Sequence, residues 1–118
     1  MTSPLEGFNP TYTENAPTLE QVKALTGNTI LEFGAPWCGH CQAAEPAIEE
    51  VLNESTELNQ IKIHHIKLYD GKGKPLGRAY KVKLWPTLIL LQNGVEIARL
   101  VRPTSANEIR QLVTSQLA

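Results

Sequence analysis

The sequence predicts an α/β domain, one mixed sheet with helices packed against both of its faces. Three observations predict it. Helical and strand-like apolar periodicities alternate along the chain, in the order helix, strand, helix, strand, helix, hairpin, helix. Residues 28–33 are apolar on both faces, as in a strand buried inside a sheet. The two cysteines of the chain, Cys38 and Cys41, stand in a C-x-x-C spacing where that strand gives way to a helical pattern.

The 118 residues suffice for one domain with one hydrophobic core. A net charge of −1 predicts no electrostatic affinity for nucleic acid or for an anionic membrane. The longest apolar run, 88–91, is far too short to span a bilayer. Met1-Thr2-Ser3-Pro4-Leu5-Glu6 has neither a basic nor an apolar signal region, so the expected compartment is the cytoplasm, or the periplasm if a signal has been removed. A secreted scaffold of this size would carry more cysteines, and a single C-x-x-C pair reads better as redox chemistry than as a framework.

Residues 1–17 read as an irregular leader punctuated by Pro4, Gly7, Pro10 and Asn15, with a short edge strand around 11–13. The domain proper is expected over 18–118. Thr18-Leu19-Glu20-Gln21 is a capping-box pattern, Leu19, Val22 and Leu25 recur at helical spacing, and Gly27 is placed to stop that helix. After the strand at 28–33, Gly34-Ala35-Pro36 makes a turn. From Cys38 onward Cys41, Ala44, Ile48, Val51 and Leu52 share one helical face, with Pro46 expected to kink the helix. A second strand is expected over 61–68 and a short helix over 76–80. Asn93-Gly94 supplies the positive φ angles of a type I′ hairpin turn between strands at 88–92 and 95–101. Ser105-Ala106-Asn107-Glu108 is a second capping box, opening a helix with Ile109, Leu112, Val113 and Leu117 inward.

The chemistry concentrates at the cysteines. If Cys41 lies in the first turn of its helix, Cys38 sits at the N-terminus, where free N–H groups and the positive dipole end stabilise a thiolate. Such a thiolate attacks disulfides readily, and its neighbour can then close an intramolecular disulfide. A purely structural disulfide in so short a loop would stabilise the fold little. A zinc site with His64 or His65 lacks the four-ligand spacing, and consecutive strand residues point to opposite faces. The Gly71-Lys72-Gly73-Lys74 stretch suggests a phosphate loop but lacks the GK[ST] ending; a solvated turn is the better reading.

Trp37-Cys38-Gly39-His40-Cys41, Pro46 eight residues after Cys38, Trp85-Pro86-Thr87 before a strand, and the Asn93-Gly94 hairpin occur in the order and spacing of the thioredoxin family. The chain resembles that family from about residue 18 to 117. Thioredoxins usually carry Gly-Pro between the cysteines; Gly39-His40 and the preceding Glu32-Phe33 are similar to the catalytic domains of protein disulfide isomerases.

The resemblance implies a thioredoxin fold and a thiol–disulfide oxidoreductase acting on protein disulfides. It would need no cofactor beyond Cys38 and Cys41 and no metal, and would act as a monomer recharged by a thioredoxin-reductase-like donor. Cys38 would be the nucleophile and Cys41 the resolving thiol. Glu32 stands where thioredoxins have a buried acid and would exchange a proton with Cys41, with Lys67 as a candidate partner for it. His40 would either stabilise the Cys38 thiolate or be inert at the surface. Gly-His implies a potential between that of thioredoxin, about −270 mV, and that of protein disulfide isomerase, about −180 mV. Pro86 resembles the family's cis-proline, beside which the Trp85 backbone would pair with an extended substrate segment. Trp37, Gly39 and Trp85 would complete the substrate-binding surface, with Trp85 equally readable as packing. Arg102-Pro103 departs from the family's usual glycine, and a solvated charge is the default for Arg102. Tyr80, His64 and His65 carry no expected role beyond packing or surface. The rival readings are a disulfide oxidase or isomerase in an oxidising compartment, and a non-catalytic thioredoxin-like binding module.

Overall fold

A computed structural model describes residues 7–117. Its elements are β1 (Tyr12–Thr13), α1 (Leu19–Lys23), β2 (Asn28–Gly34), α2 (Gly39–Glu57), β3 (Ile63–Tyr69), α3 (Pro75–Ala79), β4 (Thr87–Gln92), β5 (Val95–Val101) and α4 (Ala106–Leu117). They form one five-stranded sheet in the order β1-β3-β2-β4-β5. β1, β3 and β2 run parallel, and β4 and β5 run antiparallel to their neighbours. β2 therefore lies at the centre, hydrogen-bonded on both edges.

Alternation along these strands divides the core in two. Ile30, Ile63, Leu88 and Leu90 face α2 and α4 and meet Ile48, Val51, Leu52, Ile109 and Val113. Leu31, Phe33, Ile66, Leu68, Ile89 and Leu91 face the other way and meet Val22 of α1 and Leu76 of α3. Helices packed on both sides of the sheet bury both faces of β2, which explains its apolar run.

Local signals are read out with small shifts. The capping box at Thr18 forms, but α1 ends at Ala24 rather than at Gly27. Gly27, at φ +76°, instead turns the chain into β2 and donates to Asn93 Oδ1 at 2.8 Å, while Asn93 N–H donates back to the Gly27 carbonyl at 2.9 Å. This clips the β4–β5 turn to the start of β2. Gly94 is required there twice over: its φ is +79°, and a Cβ would lie 2.1 Å from the Lys23 carbonyl oxygen. β3 begins two residues later than expected, and α3 begins one residue earlier, with Pro75 in its first turn. The second capping box is modified. Glu108 N–H approaches Ser105 Oγ at 3.4 Å, but the Glu108 carboxylate reaches the backbone N–H and hydroxyl of Thr104. Gly7 to Thr13, grouped above with the leader, lies against β3: Gly7 N–H donates to the Ile63 carbonyl, and β1 pairs with Lys67 and Leu68.

Candidate active site

β2 delivers the chain to Gly34, and a turn through Ala35, Pro36 and Trp37 places Cys38 as the N-cap of α2. Cys38 is extended (φ −76°, ψ 117°), and its sulfur accepts the Cys41 backbone N–H at 3.1 Å. The sulfur thus occupies the place a serine or aspartate oxygen takes in an ordinary cap. A negative sulfur there is stabilised by that N–H and by the helix dipole. The Gln42 amide ties the turn down by donating to the Pro36 carbonyl at 2.8 Å. Both cysteines are free thiols, Cys38 half-buried and Cys41 buried.

The two sulfurs therefore differ. Burial pushes the Cys41 thiol up to about 12, and its hydrogen bond with Cys38 adds in the same direction. At neutral pH Cys41 is a protonated thiol. Its sulfur rests over Gly34, where a Cβ would lie 2.6 Å from it and 3.1 Å from the Tyr12 hydroxyl. That hydroxyl donates to the Ala35 carbonyl at 3.2 Å. Burial, then the charges of Glu32 and Cys41, hold Tyr12 well above the ordinary tyrosine range.

Glu32 is buried on the same face of β2 as Gly34, two residues before it, and its partner is not the expected one. Although Glu32 and Lys67 are opposite in register, the Lys67 ammonium reaches past it. It donates to Glu45 Oε1 at 2.9 Å and to the Pro10 carbonyl at 3.2 Å, and lies 4.5 Å from the Tyr12 ring centroid. Glu32 Oε1 instead lies 2.9 Å from Nε2 of His65, both side chains being almost wholly buried. His65 thus carries more than the packing role expected of it. The backbone N–H of Asn9 donates to His65 Nδ1 at 2.8 Å. Because Nδ1 accepts, the ring proton resides on Nε2, facing the carboxylate. Glu32 Oε2 is buried without a hydrogen-bond partner among the described residues, and is the free position on this carboxylate for a proton.

The Trp85–Pro86 peptide bond is cis. The Trp85 ring is half-buried and its Nε1 donates to Asp70 Oδ2 at 3.0 Å, so the indole is packed. Arg102 is not a free solvated charge. Its Nε donates to the Trp85 carbonyl at 2.8 Å, and its backbone N–H donates to the Pro86 carbonyl at 2.9 Å. The Trp85 carbonyl thus has one lone pair engaged, and the Trp85 N–H has no partner among the described residues. Trp37 is 63% exposed and packs edge-on against Tyr69 at 5.1 Å. His40 is exposed, makes no hydrogen bond to Cys38, and borders a depression of about 300 Å³ with Ala47 and Arg102. Gly39 opens α2 with nothing within 4 Å of a Cβ.

The thioredoxin family model matches residues 10–115. The chain belongs to the thioredoxin family. The structure of thioredoxin 2 from Pseudomonas aeruginosa PAO1 in its reduced form superposes with a TM-score of 0.77 at 42% identity, covering 92% of this chain and 95% of that one. A thioredoxin of Chlamydia pneumoniae is 38% identical over 76 residues, covering 64% of this chain and 70% of that protein. The resemblance to protein disulfide isomerases is also found: the Hordeum vulgare protein is 36% identical over 66 residues, 55% of this chain but only 13% of that protein's length. On this fold the C-x-x-C pair is the redox-active centre of a thiol–disulfide oxidoreductase that acts on protein substrates by redox exchange. The two thiols themselves carry the electrons, and no described group of three or more His, Cys, Asp or Glu is placed to hold a metal ion. No described helix is long and apolar enough to cross a membrane.

Sequence reasoning passed over Tyr12, Gly34, His65 and Asp70. Gly34 carried a signal, a glycine closing a buried strand just ahead of the cysteines, but it read as turn chemistry alone. His65 and Tyr12 reach the site only through strand register.

Proposed function

We propose that this protein reduces protein disulfides, with Cys38 attacking and Cys41 resolving. The Cys38 thiolate attacks one sulfur of the substrate disulfide. The substrate S–S bond breaks, the departing sulfur takes up a proton, and a Cys38–substrate mixed disulfide forms. Cys41 then passes its proton toward Glu32 and attacks the Cys38 sulfur. The second substrate sulfur leaves and is protonated, and the chain ends as the Cys38–Cys41 disulfide, two electrons poorer. A reductase-like donor restores the dithiol.

The observation that carries this reading is the contrast between the two sulfurs. Cys38 caps a helix with an N–H aimed at it, whereas Cys41 is buried and protonated at neutral pH and needs a base. Glu32 supplies one, with His65 holding Oε1 and Oε2 left bare. The Tyr12 hydroxyl lies against Gly34 beside the Cys41 sulfur and donates to the Ala35 carbonyl. The Trp85 N–H, Trp37 and Gly39 border the path of the substrate segment, and His40 lies at its edge. We place the protein in the cytoplasm as a monomer, on its likeness to thioredoxins.

The test is trapping. Cys41→Ser should accumulate a mixed disulfide with a disulfide protein such as insulin, and Cys38→Ser should trap nothing. Parental turnover by Cys41→Ser, or trapping by Cys38→Ser, would overturn the assignment. Glu32 and Gly39-His40 favour a second reading, an oxidase or isomerase of higher potential. Faster refolding of a scrambled disulfide protein than reduction of insulin, with a potential near about −180 mV, would select it.

A further inference from the structure

The near-neutral net charge conceals a segregation. Lys72, Lys74, Arg78, Lys81 and Lys83 fall within twelve residues that contain no acid. All five are exposed, and none forms an ion pair among the described residues. Lys74 Nζ merely overlies the Tyr69 ring, 5.0 Å from its centroid. The counterbalancing acids gather elsewhere: α2, on the opposite face of the sheet, carries five glutamates and no cation.

Four of these cations, Lys72, Lys74, Arg78 and Lys83, line a furrow that begins at Trp37, the residue before Cys38. A cavity of about 390 Å³ runs between Trp37, Lys72 and Lys74. A second of about 330 Å³ runs between Lys74, Arg78, Lys83 and Trp85. The two share Asp70, Gly71 and Lys74, so the furrow is continuous from the residue before Cys38 to the residue before Pro86. Asp70 is the one carboxylate on its floor. It is 7% exposed and accepts from the neutral Trp85 indole, so its single negative charge lowers but does not cancel the positive excess of the four cations that line the furrow.

We propose that this furrow docks an acidic polypeptide segment flanking the target disulfide, so that the preferred substrates are disulfide proteins with Asp- or Glu-rich flanks. The inference rests on the redox reading above and names its substrate class. Unpaired cations on low-dielectric walls raise the local concentration of an oppositely charged segment and speed its encounter. Because they are solvent-exposed, their pull is screened by salt over about 10 Å at 0.1 M ionic strength. The advantage should therefore appear in kcat/KM and fade as salt is added.

The experiment uses the full chain and three peptides that share one disulfide core, with flanks of glutamate, serine or lysine. At low salt the glutamate peptide should be reduced about 10-fold faster in kcat/KM than the serine peptide, and the lysine peptide more slowly. At about 1 M salt, where the screening length is near 3 Å, the three should converge. Lys72→Gln/Arg78→Gln/Lys83→Gln alters only exposed side chains. It should leave the serine peptide's turnover unchanged and abolish the glutamate advantage. Equal rates for all three peptides at low salt would overturn this inference alone, as would an advantage surviving in the triple variant. Failure to reduce any peptide would overturn the redox reading, and this one with it. An oligonucleotide that inhibits all three peptides equally, with no preference among them, would assign the furrow to nucleic acid instead.

Discussion

The two faces of the central sheet are built to different rules. Toward α1 and α3, the strands bury Leu31, Phe33, Ile66, Leu68, Ile89 and Leu91 together with Thr29 and Thr87, and the ionisable strand residues in that register, His64 and Arg99, are not fully buried. Toward α2 and α4 the same strands present Ile30, Ile63, Leu88 and Leu90, but also Glu32, His65 and Lys67, all buried. Burying such groups is costly unless each is bonded, and here nearly every polar atom is. His65 holds Glu32, Asn9 fixes the His65 ring, and Glu45 with Pro10 receives Lys67. Among these three side chains the exception is Glu32 Oε2. Both faces carry core, and the α2–α4 face also buries a carboxylate two residues before the glycine on which the Cys41 sulfur rests.

The sharpest way to break this contrast is to remove the carboxylate's proton site while keeping its shape. Glu32→Gln should slow release of the mixed disulfide about 100-fold, the usual scale for one positioned acid–base group. Attack by Cys38 should be nearly unaffected. Single-turnover kinetics separate the two steps, and equal release rates in variant and parent would remove Glu32 from the reaction.

His65 should matter through Glu32. His65→Leu takes away the donor to Oε1 and leaves the carboxylate wholly unpaired. It should cost about 1–3 kcal/mol of stability and slow the same release step. His65→Gln can still present an N–H toward Glu32 and should recover most of the release rate. If both variants lose stability equally yet release substrate at the parental rate, His65 is packing only.

Gly34 sharpens the contrast sterically. Gly34→Ala places a methyl 2.6 Å from the Cys41 sulfur, and overpacking of this kind costs about 1–3 kcal/mol. Gly39→Ala is the control, because nothing lies within 4 Å of its Cβ. Urea unfolding of the two should show a loss in the first and little change in the second.

What was legible beforehand follows the same division. The C-x-x-C pair at a helix start, the capping box at Thr18, the Asn93-Gly94 turn and the apolar strands are local patterns, and local patterns determine them. The cis bond at Pro86 came from resemblance, since an X–Pro bond is usually trans. The polar cluster was only half visible. Glu32 interrupts an apolar strand and stands out, but its partner is 33 positions away and depends on how β3 lies beside β2. A lysine opposite Glu32 looked the natural choice; Glu45, Pro10 and the Tyr12 ring draw it elsewhere. Arg102 looked free because its partner, the Trp85 carbonyl, belongs to a backbone turn that sequence periodicity does not describe.

The smallest expected effect separates the two faces by pH. The Cys41 thiol lies near 9.0 ordinarily and is pushed up to about 12 in the folded, reduced chain. A folded-state value above the unfolded one means that the native state holds the proton more tightly. The stability this contributes is complete below about pH 9 and is lost as pH rises toward about 12. The stability difference between the reduced parent and Cys41→Ala should therefore stay constant at neutral pH and shrink above pH 9. Tyr12 is also raised and contributes in the same direction, but it is present in both proteins and largely cancels in the difference. Leu31→Ala, on the apolar face, should give a difference that is flat across the same range. The oxidised parent should lack the Cys41 component, because its sulfur then has no proton to hold. A parent-minus-Cys41→Ala difference as flat as that of Leu31→Ala would mean that the buried thiol is not held protonated. Glu32 would then have no proton to receive from it.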